Sequence, residues 1–339
     1  MSEIKSTNHV YSFCDIESVL KFFNNPDYFC IIDSNVVELF FSDLKINNQF
    51  VIESIEKNKN LDQIALLLSE LIVREIERSV TIVGIGGGIV CDIAGFIASI
   101  YKRGTNLILV PTSLLAMVDA AIGGKNGINH NEIKNSIGCF KIPDYILISI
   151  DFLDNLPDKE VRNGIAELIK ISLVANAILF EILSELSVLN ITDFKKQPNL
   201  KSIIELAVDT KIEIVSQDLY DNGIRHILNF GHTIAHALEL RNEISHGQAV
   251  AYGIYAAAAF SRELKILSGY NFERISKILQ NYGFVTDFDF DTKTVLNDLN
   301  NDKKIYSGKI REIFLESIGK FKFMNLSFEE YGDLLNDLR

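Results

Sequence analysis

Four of the six histidines fall between His226 and His246, and this clustering is the strongest chemical signal in the chain. His232 and His236, in the run NFGHTIAHALE, stand four apart, which puts both rings on one face of a helix. His246 follows in SHG, a segment that reads as a loop. Clustered neutral imidazoles suit zinc, which often takes a carboxylate as a further ligand. Glu167 is the carboxylate candidate, because it lies in a helix, RNGIAELIK, whose face is otherwise apolar. Spacing alone nominates His232 and His236 as a metal pair and does not choose between them and His246. The HExxH pattern of a metalloprotease is absent, since no glutamate follows the first histidine of HTIAH.

A second signal is the glycine turn in VTIVGIGGGIVCD, where a strand pattern runs into Gly86-Gly87-Gly88 and then into an apolar helix. Glycines there let the backbone approach a phosphate, and the helix N-terminus offers unpaired N–H groups. Gly84 and Gly86 fit the dinucleotide spacing, but Ile89 holds the third glycine position. No Gly-Lys-Ser/Thr follows, so this is not a P-loop. Gly123-Gly124-Lys125 is another flexible turn, with a cation beside it. Further cations are Lys170, three residues after Glu167, then Lys211, Arg225, four before Asn229, and the pair Lys303-Lys304. Several cations near clustered imidazoles fit an acidic, phosphorylated ligand.

The elements that must position these groups divide the chain in two. Up to about residue 150, strand and helix signals alternate: Tyr28–Asp33, Phe50–Ser54, Val80–Ile85, Leu107–Val110 and Tyr145–Ile150 read as strands. Between them, 61–77 reads as a helix with Leu61, Ile64, Ala65, Leu68, Leu71, Ile72 and Ile76 on one face. Such alternation predicts a parallel, Rossmann-like α/β sheet. From Asp151 onward helical patterns dominate, over 158–186, 200–219, 226–240 and 248–267, and Ile310–Ile318 alternates like a strand. The expected domains are therefore 1–150, α/β, and 151–339, mainly helical. A chain of 339 residues is long enough for two such cores.

The net charge of −12 argues against nucleic acid and an anionic membrane surface as partners. Four scattered cysteines without CxxC fit reduced thiols and a cytoplasmic protein. The first residues, MSEIKSTNHVYSF, lack a signal-peptide core. Mean hydropathy is +0.16, yet the most apolar run, Thr81–Ile100, holds three consecutive glycines and Asp92. Ala249–Phe260 is too short to span as a helix, so both runs read as buried core.

Taken together, the stretches GGGIVCDIAGF, RGTNLILVPTSLLAMVDAAIGGKNGINH, KNSIGCF, RNGIAELIK, NFGHTIAHALE and HGQAVAYG, in that order, resemble the 3-dehydroquinate synthase family of the sugar phosphate cyclase superfamily. The resemblance implies zinc, with Co2+ an alternative, on Glu167, His232 and His246, leaving His236 to the substrate. It places substrate contacts at Asp119, Lys125, Asn135, Lys170, Lys211, Arg225, Asn229, His236 and Lys304. NAD+ contacts fall on Asp33, Asn35, Glu56, Lys59, Gly87, Gly88, Ile89, Asp92, Thr112 and Ser113, with Lys125 and Lys134 beside them. Departures from the family pattern are Ser113 for a second Thr, Ala120-Ala121 for a Ser pair, Asn126 for Thr and Ala235 for Gly.

The implied reaction converts 3-deoxy-D-arabino-heptulosonate 7-phosphate to 3-dehydroquinate and phosphate, a step of the shikimate pathway. It runs through transient oxidation by NAD+, β-elimination of phosphate, re-reduction and an aldol closure. The substrate is thus a phosphorylated sugar acid, and a homodimer is the family expectation. A cyclitol-forming relative of the 2-deoxy-scyllo-inosose or valiolone type is the alternative. Gly123-Gly124-Lys125 and the Arg225…Asn229 pair favour the first reading. A zinc- and NAD-dependent polyol dehydrogenase does not explain the array of lysines. A non-catalytic paralogue does not explain the retained polar positions.

Overall fold

Short β-branched and aromatic runs become the strands of a parallel sheet in the computed structural model. It describes residues 10–131, 133–186, 191–239, 244–287, 290–300, 305–306 and 309–338. The strands are β1 (Tyr11–Phe13), β2 (Tyr28–Asp33), β3 (Gln49–Ile52), β4 (Thr81–Gly86) and β5 (Asn106–Pro111). A hairpin of β6 (Lys125–His130) and β7 (Ile133–Phe140) stands apart from the sheet, and β8 (Tyr145–Ile148) rejoins it. The six-stranded order is β1-β8-β5-β4-β2-β3, with every neighbouring pair parallel. Buried Ile31, Ile32, Ile82, Val83 and Leu107 show why near-continuous apolar runs are needed there.

Helices α1 (Ser34–Phe40), α2 (Leu61–Val73) and α3 (Gly88–Ile100) belong to this half. Helix α2 corrects the expected stripe. It buries Ile64, Leu67 and Leu71, whereas Leu61 is 40% and Ile72 65% exposed. It also stops early: Arg74 caps it and Glu75 turns to φ 54°, so Ile76 lies outside the helix.

The chain forms two compact units. One comprises Met1–Glu160 with Lys211–Tyr220, the other Val161–Thr210 with Asp221–Arg339. The helices that follow are α4 (Asp158–Ala175), α5 (Ala177–Glu185), α6 (Ile191–Lys195), α7 (Leu200–Gln217), α8 (His232–Glu239), α9 (His246–Glu263), α10 (Gly269–Asn281) and α11 (Thr292–Asn300). An antiparallel sheet of β9 (Ile305–Tyr306), β10 (Lys309–Ser317) and β11 (Lys320–Leu326) precedes α12 (Phe328–Asn336). Ile234, Leu238, Tyr252, Phe260, Phe314 and Tyr331 pack into one core behind α8 and α9. Each such side chain contributes roughly 1.5–3 kcal/mol on burial.

Three helical expectations are revised. The 158–186 run breaks at Asn176, whose side chain accepts from the Leu179 N–H and starts α5. The 226–240 run is a 3-10 turn (Ile224–Asn229) and then α8, separated by Gly231 at φ 76°. His246 opens α9 rather than lying in a loop, because Ser245 caps that helix by accepting from the Gln248 N–H. The four cysteines are free thiols, and no described helix is long and apolar enough to cross a membrane.

Candidate functional site

Helices α8 and α9 meet backbone to backbone. Gly231 holds φ 76°, and a Cβ added at Gly253 would overlap Gly231 O. Only a glycine at each place permits that approach. The Gly247 N–H also donates to Asn163 Oδ1 at 2.8 Å, which ties the start of α9 to α4. His232 on α8, His246 on α9 and Glu167 on α4 are thereby brought together, with one donor atom from each lying within 4.8 Å of the others.

The outer nitrogen of each ring is held. His232 Nδ1 donates to Phe230 O at 3.2 Å, so its Nε2 faces Glu167 Oε1 at 3.5 Å as a bare acceptor. His246 Nδ1 pairs with Glu239 Oε1 at 2.6 Å, and its Nε2 lies 3.1 Å from the same Glu167 oxygen. Burial first, and then the Lys170 ammonium, press His232 down to about 4, so it is neutral at ordinary pH. Burial alone would raise the Glu167 carboxyl. The Lys170 ammonium first, and then the two neighbouring imidazoles, overcome this and hold it well below the usual carboxylate range. Burial alone would lower His246, but bonds to Glu167 and Glu239 push it up to about 10. Two imidazole nitrogens and one carboxylate oxygen, with each ring's far side anchored, is a donor set that fits a catalytic zinc or a similar divalent ion.

The first unit builds its polar site from turns. Gly87 is the N-cap of α3, so the helix opens directly after the glycine turn, with Ile89 and Asp92 in its first turns. Buried Lys59 pairs with the Asp92 carboxylate and donates to Asn135 Oδ1 at 2.6 Å. Burial raises Asp92, and Lys59 opposes that shift. Asp33 caps α1 by accepting from the Asn35 N–H at 3.0 Å. The Thr112 N–H donates to Gly86 O at 3.0 Å, and Ser113 Oγ accepts from the Ala116 N–H at 3.2 Å. Asp119 lies in a single π-helical turn, Ala116–Ala120, where Lys211 pairs with its carboxylate and donates to its carbonyl at 2.6 Å. Lys125 and Lys134 are exposed on β6 and β7.

In the second unit, Arg225 is buried on the Ile224–Asn229 turn, and Asn229 Nδ2 lies 3.1 Å from His226 Nδ1. His236 is exposed, its ring 5.5 Å from that of His232. Lys304 lies outside the described residues. Two residues that sequence reasoning did not single out take part: Glu239, which holds His246, and Asn129, which bridges Glu56 and Asn135. The sequence signal for Glu239 was present, since it stands two helical turns beyond His232 in HTIAHALE.

The fold is that of the sugar phosphate cyclases. A 2-epi-5-epi-valiolone synthase from Streptomyces hygroscopicus subsp. jinggangensis, solved with NAD+ and Zn2+ bound, superposes with a TM-score of 0.87. It is 23% identical, covering 100% of this chain and 98% of its own. A 2-deoxy-scyllo-inosose synthase, solved with carbaglucose-6-phosphate, NAD+ and Co2+, gives 0.84 at 24% identity over 96% of each chain. Sequence narrows the class. Family models described as 3-dehydroquinate synthase N-terminal and C-terminal match residues 49–163 and 164–305. A 3-dehydroquinate synthase of Picrophilus torridus is 39% identical over 98% of both chains. That of Saccharolobus solfataricus is 42% identical over 79% of this chain and 77% of its own. The chain belongs to the 3-dehydroquinate synthase family.

Proposed function

We propose that the chain is a carbon–oxygen lyase that turns 3-deoxy-D-arabino-heptulosonate 7-phosphate into 3-dehydroquinate and phosphate. The observation that carries this reading is the 39% identity to a 3-dehydroquinate synthase along nearly the whole length of both chains. The donor cluster supports it. Glu167, His232 and His246 are the residues we assign to a zinc ion, and Glu56, Lys59, Asp92 and the Gly87-Gly88 turn to NAD+.

Bound NAD+ and zinc would supply hydride transfer and Lewis acidity, respectively. The chain's own groups do the rest. In the second unit, Lys170 sets an ammonium against the Glu167 carboxylate, where it can stabilise an oxyanion. Arg225 offers a planar fork to a carboxylate, and Asn229 and His236 offer hydrogen bonds. In the first unit, Lys125 and Asn135 are assigned to phosphate. Asp119 holds the Lys211 ammonium in one orientation, which limits the rotamer freedom lost when an anion binds. The departing phosphate can serve as its own base, so no separate protein base is assigned. The free thiols accord with a reducing, cytoplasmic setting, and a homodimer accompanies the reading.

The cyclitol-forming alternative is kept because the superposed structures are of that type. One assay separates the two. Purified protein with NAD+ and Zn2+ should release phosphate from the heptulosonate phosphate and form dehydroquinate. Turnover of glucose 6-phosphate or sedoheptulose 7-phosphate, with none of the heptulosonate, would overturn the proposal.

A further inference from the structure

The β6–β7 hairpin carries an irregularity. Ile128 pairs with Ile137, but His130 pairs with Ile133, so β7 bulges opposite Asn129. Asn135 lies in that bulge at φ 51°. Its N–H has left the regular ladder and donates instead to Asn129 Oδ1 at 2.8 Å. The other end of the same carboxamide, Nδ2, donates to Glu56 Oε1 at 2.7 Å. The Asn129 N–H donates to Lys59 O at 2.7 Å, and Lys59 Nζ returns to Asn135 Oδ1 at 2.6 Å. The result is a closed circuit through Glu56, Asn129, Asn135 and Lys59, with Asp92 attached through Lys59.

We infer that Asn129 is a positioning residue: its carboxamide locks the Asn135 bulge to the Glu56–Lys59 turn, setting the anion-holding and dinucleotide-holding groups of the first unit as one body. The inference rests on the function proposed above. The side-chain chemistry is specific. A carboxamide presents an acceptor on one side and a donor on the other, as the Asn135 N–H and the Glu56 carboxylate require. Aspartate would keep the acceptor but set a second carboxylate against Glu56. Alanine would leave the bulge N–H and the carboxylate without this bridge.

The test measures NAD+ binding by calorimetry on the full-length protein, together with KM and kcat, for N129A, N129D, E56Q and N129D/E56Q. N129D should weaken NAD+ about tenfold, the scale of a lost charge-assisted hydrogen bond, and raise KM for the phosphorylated substrate more than it lowers kcat. N129D/E56Q exchanges the two partners: the carboxamide at position 56 can donate to the carboxylate at position 129. Its NAD+ affinity should therefore return to about that of E56Q alone. A misfolded N129D would not be rescued in this way. A double variant no tighter than N129D, or an N129A protein with unchanged NAD+ affinity and KM, overturns the bridge while leaving the proposed function standing. Wild-type protein that binds no NAD+ overturns both.

Discussion

Glu167, His232 and His246 stand on helices, whereas Glu56 and Lys59 stand on a turn and Asn129 and Asn135 on the two strands of a bulged hairpin. On a helix the backbone ladder fixes each Cα, so a side chain can be removed while its neighbours keep their places. On turns the side chains themselves hold the backbone, and each is both a functional group and a strut. The two regions should therefore fail differently: one loses its ligand, the other its shape.

The largest effect should come from the helical cluster. His246→Ala should weaken metal binding about a thousandfold, or about 4 kcal/mol, measured by competition with a chromogenic chelator. His236→Ala should keep stoichiometric metal, because its ring is not among the converging donors. Stoichiometric zinc retained in His246→Ala would break the helical half of the comparison.

Lys59→Met tests the other half. It leaves the Asp92 carboxylate without its ammonium, and urea unfolding should show a loss of about 3 kcal/mol. A loss under about 0.5 kcal/mol, the level of a neutral surface change, would mean the turns hold themselves without the circuit.

The smallest effect is a slope. Before a metal binds, His246, raised to about 10, carries a proton, whereas His232, at about 4, and Glu167, held low, have none to give at neutral pH. Metal binding at His246 Nε2 must expel that proton. Affinity should therefore rise about tenfold per pH unit from about pH 5 to about pH 10 and level off above it. Zinc titrations in buffers of different ionisation heat should report about one proton released. Absence of proton release would show that the two carboxylates do not hold His246 charged.

The contrast also explains what could be read from sequence. Strand β2 was legible to the residue, because YFCIID is apolar and β-rich and its ends are punctuated. The histidines and Glu167 were legible as a group, since residue type carries their chemistry. Choosing among them was not, because i,i+4 spacing reports a shared face and not where that face points. His232 and His236 satisfy the spacing, but His246 reaches Glu167 only because α9 begins at that residue. The β6–β7 hairpin escaped notice, since KNGINH and IKNSIGCF alternate poorly and β7 is largely exposed. Asn129 was invisible for a related reason. Its partner Glu56 is 73 positions away, and nothing local marks it. Helix α2 was misread because several leucines and isoleucines lie on its outer face, where a hydrophobic count sees core.

The glycine contact between α8 and α9 has one more consequence. Main chain touches main chain there, and His232 is the next residue after Gly231. No rotamer change can alter that separation, and no substitution can pad or trim it. Ligand identity in this cluster is open to single mutations one at a time. Ligand spacing is not; it shifts only if an entire helix translates, which would disturb the core packed behind it.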